Sequence, residues 1–363
     1  MDFQHILRNF KLENSDWQCI GQEELHGGHI NNTYLLETQQ GDIVRRYVLQ
    51  KINVNVFKQP MQLMENIVRV TAFVREKLDA GAAPGQTTLR VYPTHDGQDY
   101  YIEPDGGFWR CYQFVENSYS PQEPTETDAY RAGHAFGTFM QLLHDFPAEQ
   151  LHETIPGFHN TVARYEQLQQ AIAENAAGRL DEVAEEIAFA QARKDDCGKL
   201  LDLCETGEIP MRVTHNDTKL NNVLFDKGTQ QAVCVIDFDT IMPGLALYDY
   251  GDALRFLGNT SREDARDTDS VKFSMPLFEA YTKGYLAAAK EALTPAELAM
   301  MPFSIKLMSL ECGMRFLADY LNGDTYFRIH SPDHNLVRCR TQFKLVREIE
   351  ARLDDMEKFI ATL

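Results

Sequence analysis

A change of hydrophobic pattern near residue 117 is the feature that most constrains the fold of this chain. Before it, short β-prone runs alternate with turn segments, which is typical of antiparallel strands. After it, apolar residues recur at helical spacing, except in one stretch of short strands and loops at 211–240. The polar, proline-containing segment 116–127 separates the two patterns. The sequence therefore predicts an α+β fold in two lobes, a β-rich lobe at 1–116 and a mostly helical lobe at 117–363.

Turns and apolar stripes also predict the individual elements. Pro60 is suited to the first turn of the one main helix of the first lobe. The glycine-containing turns at 26–29 and 40–42 indicate a three-stranded antiparallel meander at the start of the chain. The predicted strands are 17–25, 32–37, 44–52, 87–92, 100–103 and 109–115. The predicted helical stripes of the second lobe are 129–143, 180–204, 273–289, 295–321 and 341–363.

Charge and composition narrow the class of protein. Lys and Arg number 35 against 54 Asp and Glu, a formal charge of −19. Such a chain repels phosphate backbones and anionic lipids, which argues against nucleic-acid and membrane partners. No apolar run of about 18 residues is present. The start of the chain has no secretory pattern, and the seven cysteines include no CxxC pair, so we expect a cytoplasmic protein.

The stretch within the helical lobe carries the chemistry. It reads THNDTKLNNVLF at 214–225, and CVIDFD follows at 234–239. His215, Asp217 and Asn222 give the pattern HxDxxxxN, and Asp237 comes twenty residues after Asp217. Phosphoryl transfer needs a carboxylate at the acceptor hydroxyl, which Asp217 can supply. It also needs oxygen ligands for Mg²⁺, which Asn222 and Asp237 can supply. A surface loop rich in Asp and Asn does not require a histidine at this spacing.

These two stretches resemble the aminoglycoside phosphotransferase branch of the protein-kinase-like fold. Within that branch, the segment 214–256 is most similar to the bacterial N-acetylhexosamine 1-kinases. The resemblance implies a bilobal kinase-like fold, ATP and Mg²⁺, with Asp217 as catalytic base and with His215 and Asn222 of the same motif as further catalytic residues. It implies Asn222 and Asp237 as metal ligands, and Asp249 as the residue that ties down the catalytic loop.

Other nucleotide and metal contacts are predicted with less support from the pattern. Lys51 lies on the third strand, where a kinase-like fold places the lysine that binds the α- and β-phosphates. Glu65, fourteen residues later, could pair with Lys51, although both could also be ordinary surface charges. Asp239 follows Asp237 by two residues. On a strand the two side chains would share a face and could both bind metal, and the alternative is a solvated loop carboxylate.

The glycine loop and the hinge complete the predicted nucleotide site. Gly27 and Gly28 permit a close approach of the backbone to phosphate, although HGGHINNT departs from the GxGxxG pattern. The segment 113–117, with Gln113 and Val115, follows the last strand of the first lobe. The resemblance implies that this segment holds adenine.

The acceptor is predicted from the resemblance. It suggests Arg315 and Tyr326 as sugar contacts, with a salt-bridged helix arginine and a packing aromatic as the alternative. His29 could also reach a sugar hydroxyl. The expected product is a hexosamine 1-phosphate from GlcNAc or GalNAc. Alternatives are an aminoglycoside phosphotransferase, which the acidic charge favours, a choline or homoserine kinase, and a nucleotide-binding pseudokinase.

Overall fold

The structure is a computed structural model that describes residues 3–13, 16–25, 30–121 and 124–363 of the chain. Its strands are β1 (Gln18–Glu24), β2 (Asn32–Gln40), β3 (Ile43–Lys51), β4 (Tyr101–Ile102), β5 (Phe108–Gln113), β6 (Ser118–Tyr119), β7 (Arg212–Thr214), β8 (Val223–Asp226), β9 (Ala232–Val235) and β10 (Met242–Gly244). Its α-helices are α1 (Phe3–Leu7), α2 (Pro60–Asp79), α3 (Glu126–Leu142), α4 (Thr161–Glu174), α5 (Ala184–Gln191), α6 (Lys199–Glu205), α7 (Ala246–Leu257), α8 (Met275–Ala289), α9 (Pro295–Leu321), α10 (His334–Glu350) and α11 (Leu353–Ile360). None of the helices within the described ranges is long and apolar enough to cross a bilayer.

The chain separates into two compact units. The first comprises Met1–Ser120, Asp145–Ile155 and Val223–Met242, and the second comprises Pro121–His144, Pro156–Asn222 and Pro243–Leu363. The first is β-rich and the second mostly helical, so the described residues have the α+β class that the sequence predicts.

The first unit is built on a five-stranded antiparallel sheet in the order β1-β2-β3-β5-β4. A two-residue turn joins β2 to β3, with Gly41 in the left-handed region at φ +57°. Helix α2 begins at Pro60, as predicted, because proline lacks only an N–H that the first helical turn does not use. The core of this sheet includes Leu36, Leu49 and Trp109.

A second, three-stranded sheet in the order β6-β8-β9 belongs to the same first unit. The predicted boundary at 116 between two contiguous lobes stays a prediction. The compact units have other boundaries, and each consists of three separate segments of the chain. The segment Val223–Met242 lies with the first unit because β8 pairs with β6 and because the N–H of Thr87 donates to the carbonyl of Val233. The predicted strand at 87–92 is wrong: its N–H groups go to different segments, and only an isolated bridge, Val91 to Tyr112, forms.

The second unit packs its helices around a core that includes Leu310, Met314 and Leu317 of α9. Helix α9 has the predicted bounds, with Pro295 in its first turn and a capping box formed by Thr294 and Glu297. The predicted stripe at 180–204 is instead a series of short helices. It is interrupted at the turn of Lys194–Asp196 and at Gly198, a weak helix former.

Candidate active site

The loop that follows β7 carries Asp217, and two other side chains of the loop hold its carboxylate. Nζ of Lys219 lies 2.7 Å from Oδ1 of Asp217. Nδ2 of Asn222 donates to the backbone carbonyl of Asp217 at 2.8 Å and to its Oδ2 at 3.2 Å. Burial alone would lower the pKa of Lys219, but the negative charge of Asp217 outweighs it and raises the pKa. Asp217 is therefore a partly exposed carboxylate that a fixed cation and an amide hold in one orientation.

Asp249 of α7 anchors the backbone of this loop. Its two carboxylate oxygens accept the N–H groups of His215 at 2.8 Å and Asn216 at 2.7 Å. Burial raises the pKa of Asp249, and the charge of His215 and these hydrogen bonds lower it in part. Asn216, at φ +62°, is left-handed, a conformation that a non-glycine residue keeps only where its surroundings hold it. The role that the resemblance implies for Asp249 fits these contacts.

His215 lies behind the loop and away from solvent. Its ring is fully buried and meets the edges of Phe136 and Phe139, with ring centroids 5.8 and 6.2 Å away. Its Nδ1 accepts the N–H of Asp217 at 3.2 Å. The sequence placed His215 among the catalytic residues, but a fully buried ring can reach an acceptor only through Asp217. The contacts instead make His215 a residue that positions Asp217.

Asp237 and Asp239 belong to the first unit and follow β9, which ends at Val235. Asp237 has a left-handed backbone at φ +66°, and Phe238–Thr240 forms a 3₁₀ turn. The predicted arrangement of both side chains on one face of a strand is therefore wrong, because the strand ends before Asp237. Asp239 is buried and forms an ion pair with Arg110 of β5, and Asn31 also donates to it.

Arg110 is the most deeply buried charge of this group. Its side chain is 1% exposed, and its Nε donates to Oε1 of Gln50 on the neighbouring strand at 2.9 Å. Burial lowers the pKa of Arg110, but the attraction of Asp239, with a further contribution from Asp237, outweighs it and the pKa is raised. The turn that carries Asp237 is thus held by a buried ion pair, a contact that the sequence analysis missed.

Asn222 of the second unit and Asp237 of the first unit each carry an oxygen of the kind that Mg²⁺ prefers. Nδ2 of Asn222 is used within the catalytic loop, and among the described residues no donor reaches its Oδ1, so an amide oxygen is left to bind metal. Asp237 supplies a carboxylate. No group of three His, Cys, Asp or Glu side chains suited to a metal occurs in the described parts of the chain. Mg²⁺ bound beside a nucleotide does not need such a group of three side chains, because phosphate oxygens and water complete its coordination shell. Asp239 is already neutralised by Arg110 and is the poorer ligand.

Lys51 lies at the end of β3 and has a different partner from the predicted one. Its Nζ is 3.9 Å from Oε2 of Glu103 and 5.4 Å from the ring centroid of Trp109, whose Nε1 donates to Glu103 at 2.6 Å. Gly107 makes room for this cluster, since a Cβ there would meet Glu103 at 2.4 Å. The predicted pair of Lys51 with Glu65 is wrong.

Glu65 instead binds Arg69 and His152, both within the first unit. The neighbouring Asn66 is the buried residue of this part of α2, and it holds the backbone of His152 and the carbonyl of Ile241. Because adjacent residues of a helix point in different directions, Glu65 does not lie on the buried face of α2 that Asn66 occupies.

Gln113 and Val115 belong to the segment that is predicted to hold adenine. The N–H of Gln113 donates to the carbonyl of Arg90 at 2.9 Å, and the carbonyl of Val115 accepts the hydroxyl of Ser118 at 2.7 Å. These groups are therefore already hydrogen-bonded within the chain. Gly27, Gly28 and His29 lie outside the described residues.

Arg315 and Tyr326, the predicted acceptor contacts, come together in the second unit. The guanidinium carbon of Arg315 lies 5.6, 6.0 and 5.5 Å from the ring centroids of Phe158, Tyr326 and Phe327. Arg315 is half-buried and has no ion pair or hydrogen bond with any residue of the described ranges. Tyr326 is 69% exposed. The guanidinium of Arg315 therefore has donors available beside an exposed aromatic ring, and its role as an acceptor contact stays a prediction.

Residues 21–294 match the phosphotransferase enzyme family, which is more than half of the chain. The chain belongs to the phosphotransferase enzyme family. Among solved structures, it is similar to a microcompartment-associated aminopropanol kinase at 20% identity and TM-score 0.63, with 98% of each chain covered. It is also similar to an aminoglycoside phosphotransferase from Alicyclobacillus acidocaldarius at 14% identity and TM-score 0.60, with 99% of this chain and 96% of that chain covered. These likenesses show a shared fold.

The sequence pattern predicts the loop that carries Asp217 as the catalytic loop, but it does not reveal all the charge partners of the candidate site. Lys219 stands two residues after Asp217, and this spacing within the motif could have signalled it. Glu103 and Arg110 had no such signal, because each acts through a partner that is distant in the sequence.

Proposed function

We propose that this phosphotransferase is an ATP- and Mg²⁺-dependent kinase that phosphorylates the anomeric hydroxyl of N-acetylhexosamines. The kinase part of the proposal is carried by the Asp217 carboxylate, held by Lys219 and Asn222 on a loop that Asp249 anchors. A preorganised carboxylate beside a cation is what phosphoryl transfer to an alcohol needs, because the protein mainly positions groups and stabilises charge.

The proposed step uses one proton and one phosphoryl group. The acceptor hydroxyl gives its proton to Asp217, its oxygen forms a bond to the γ-phosphorus of ATP, and the bond from that phosphorus to the β,γ-bridging oxygen breaks, which releases ADP. Lys219 keeps Asp217 oriented and offsets its charge. Lys51 is proposed to bind the α- and β-phosphates. Asn222 and Asp237 are proposed to hold Mg²⁺, which neutralises phosphate charge when bound.

The acceptor class rests on the cluster around Arg315. Arg164 donates to the carbonyl of Phe158 at 2.8 Å, and its pKa is lowered by burial and by the positive charge of Arg315. Glu311 is the buried carboxylate nearby, and its two oxygens already accept hydrogen bonds from His159 and Thr161. Within the part of the chain that the structure describes, neither guanidinium group forms an ion pair with an exposed carboxylate, so the two repel a cationic acceptor. They suit a neutral acceptor rich in oxygen, such as an acetylated amino sugar.

Cationic acceptors are the second candidate. The net charge of −19 attracts polycations at long range, and one similar structure is an aminopropanol kinase and another an aminoglycoside phosphotransferase. Choline and homoserine kinases belong to the same group of alternatives. A nucleotide-binding pseudokinase is the remaining one, and the presence of Asp217, Asn222 and Asp237 together disfavours it.

The test is ADP formation by the full chain with ATP and Mg²⁺, measured with GlcNAc, GalNAc, kanamycin, choline, homoserine and aminopropanol in parallel. We expect kcat/KM for at least one N-acetylhexosamine to exceed that of every cationic acceptor by about tenfold or more, a difference of about 1.4 kcal/mol in transition-state binding. A higher kcat/KM for any amine would contradict the acceptor assignment. Absence of turnover with the whole panel would favour the pseudokinase.

Arg315→Ala and Arg266→Ala form a matched pair for the acceptor cluster. Arg266 is an exposed arginine whose ion pair with Asp333 lies on the surface of the same unit. We expect Arg315→Ala to raise KM for the sugar about tenfold with little change of KM for ATP, because binding to the acceptor alone is lost. Arg266→Ala should leave both constants within twofold. Equal effects of the two substitutions would remove Arg315 from the acceptor site.

A further inference from the structure

A single buried carboxylate holds the loop that carries Tyr326. Asp319, near the end of α9, accepts the backbone N–H groups of three consecutive residues: Thr325 at 2.9 Å, Tyr326 at 2.8 Å and Phe327 at 2.9 Å. The residue is 5% exposed. Removing a carboxylate from water is unfavourable unless strong hydrogen bonds compensate for the lost hydration. Here the three backbone N–H donors supply that compensation.

Asn335 and Arg179 extend this arrangement. Nδ2 of Asn335, a fully buried residue of α10, donates to Asp319 and to Asp324, each at 2.8 Å. Arg179 forms an ion pair with Asp324 and donates to the carbonyl of Tyr320 at 2.9 Å. Asp324 has a left-handed backbone at φ +60°. The loop is thus tied to three separate segments of the second unit.

The neighbouring residues Tyr326 and Phe327 of the loop have different surroundings. Phe327 packs against the core, and its ring is tilted against that of Phe316 with the centroids 4.7 Å apart. Tyr326 is exposed, and its ring lies 6.0 Å from the guanidinium carbon of Arg315, which is four residues before Asp319 on α9. The buried contacts therefore fix an exposed tyrosine opposite an arginine with unused donors.

We infer that Asp319 is a positioning residue for acceptor binding, which acts by holding the backbone of Tyr326 in place beside Arg315. The inference rests on the proposed function in that it assumes the cluster of Arg315 to be the acceptor side of the site. It does not depend on which alcohol is the acceptor. Preorganisation of Tyr326 lowers the ordering cost of acceptor binding, so its loss appears in KM for the acceptor.

Two variants of the full chain test the inference. Asp319→Asn keeps the shape of the side chain but removes its charge and one acceptor oxygen. Asp324→Gly removes the carboxylate that Asn335 and Arg179 bind, and glycine accepts the left-handed backbone without strain. Circular dichroism and thermal unfolding check that each variant is folded before its kinetics are compared. The control is Glu350→Gln, which removes a carboxylate that binds Arg193 and Lys306 elsewhere in the second unit.

We expect both loop variants to raise KM for the acceptor about tenfold and to leave kcat and KM for ATP within about twofold, whereas Glu350→Gln changes none of the three. The acceptor is GlcNAc or, if GlcNAc does not react, whichever member of the panel does. In a double-mutant cycle, Asp319→Asn should add little to Tyr326→Ala, because both remove the same contact. Additive effects, or a KM for ATP that rises equally, would overturn the inference.

Amide hydrogen exchange provides a readout that needs no acceptor. The N–H of Tyr326 should exchange slowly in the wild-type chain, although its side chain is exposed, and about tenfold or more faster in Asp319→Asn. Unchanged exchange in this variant would overturn the positioning role by itself. Faster exchange together with no turnover of any N-acetylhexosamine would contradict the proposed substrate but would still support the role of Asp319 in ordering the loop.

Discussion

Asp217 and Asp239 are both aspartates with a basic partner, but their surroundings differ. The side chains of Asp217 and Lys219 are 27% and 32% exposed, whereas those of Asp239 and Arg110 are 7% and 1% exposed. A solvated ion pair contributes little to stability, while removal of one partner from a buried pair leaves an uncompensated charge. Substitution of Asp217 should therefore affect turnover, and substitution of Asp239 should affect stability.

Asp217→Asn is expected to lower kcat by a factor on the order of 10² to 10⁴, because an amide cannot take the proton of the acceptor. KM for ATP should stay within about twofold, since Asp217 is proposed to contact the acceptor. Steady-state kinetics with the best acceptor of the panel measure both constants. Retention of more than half of the wild-type kcat would remove Asp217 from the mechanism.

Asp237→Asn and Asp239→Ala separate metal binding from structure. Asparagine tolerates the left-handed backbone of residue 237, so Asp237→Asn should abolish turnover at saturating Mg²⁺ and lower the free energy of unfolding less than Asp239→Ala does. Asp239→Ala leaves Arg110 buried and unpaired and should lower that free energy by about 3–5 kcal/mol. Denaturant unfolding and turnover assays check both. The reverse pattern would assign the metal to Asp239.

The candidate site could be located from the sequence because its motif is local. Asp217, Asn222 and Asp237 lie in one short stretch of sequence, and their catalytic and metal-binding roles stay predictions. The partners Glu103 and Arg110 could not be predicted, since ion pairs across strands depend on register, which a single sequence does not reveal.

At the scale of elements, close packing of α3 against α8 depends on glycines. A Cβ at Gly284 would meet the backbone oxygen of Tyr130 at 1.9 Å, and one at Gly133 would meet that of Tyr281 at 2.1 Å. Backbone atoms cannot move aside as the end of a flexible side chain can. The two helices therefore approach each other only because neither glycine carries a side chain.

Gly284→Ala is expected to lower the free energy of unfolding by about 1–3 kcal/mol through overpacking, although alanine is the better helix former. The control is Lys283→Ala at the preceding, exposed position of α8. Its free energy of unfolding should stay within about 0.5 kcal/mol of the wild-type value. Denaturant unfolding measures both. A stabilised Gly284→Ala variant would show that α3 and α8 are not packed this closely.

Glu311 of α9 makes stability depend on pH. Burial raises its pKa, but the charge and hydrogen bond of His159, with Arg315 and Thr161, outweigh this and lower the pKa. A carboxyl with a lowered pKa in the folded state stabilises above its unfolded pKa of about 4.3, and this contribution is lost as pH falls. We expect the free energy of unfolding to fall more steeply between about pH 5 and pH 3 in the wild type than in Glu311→Gln. Parallel curves would contradict this.

The elements themselves were largely predictable where local signals agree. Helix α9 has a capping box, a proline in its first turn and a long apolar stripe, and its predicted bounds are those observed. The segment 87–92 was predicted as a strand because its residues favour β-structure. Whether such a segment forms a ladder depends on partners far away in the sequence, so it could not be settled locally.

At the scale of the whole molecule, charge alone would suggest a cationic acceptor. The net charge is −19, yet the cluster around Arg315 places two arginines near Tyr326. Net charge acts at long range and is screened by salt, whereas the local groups decide which acceptor is held. We therefore expect the local cluster, and not the total charge, to decide which acceptor binds.

The site of phosphorylation tests the central claim most directly. The anomeric hydroxyl is the most acidic of the sugar, because the ring oxygen stabilises its conjugate base, so a single carboxylate such as Asp217 can serve as its base. We predict that phosphorus NMR of the product from GlcNAc or GalNAc shows phosphate on the anomeric oxygen, as the α-1-phosphate, and that the methyl glycosides of both sugars do not react. Phosphate at C6, or turnover of a methyl glycoside, would contradict the account.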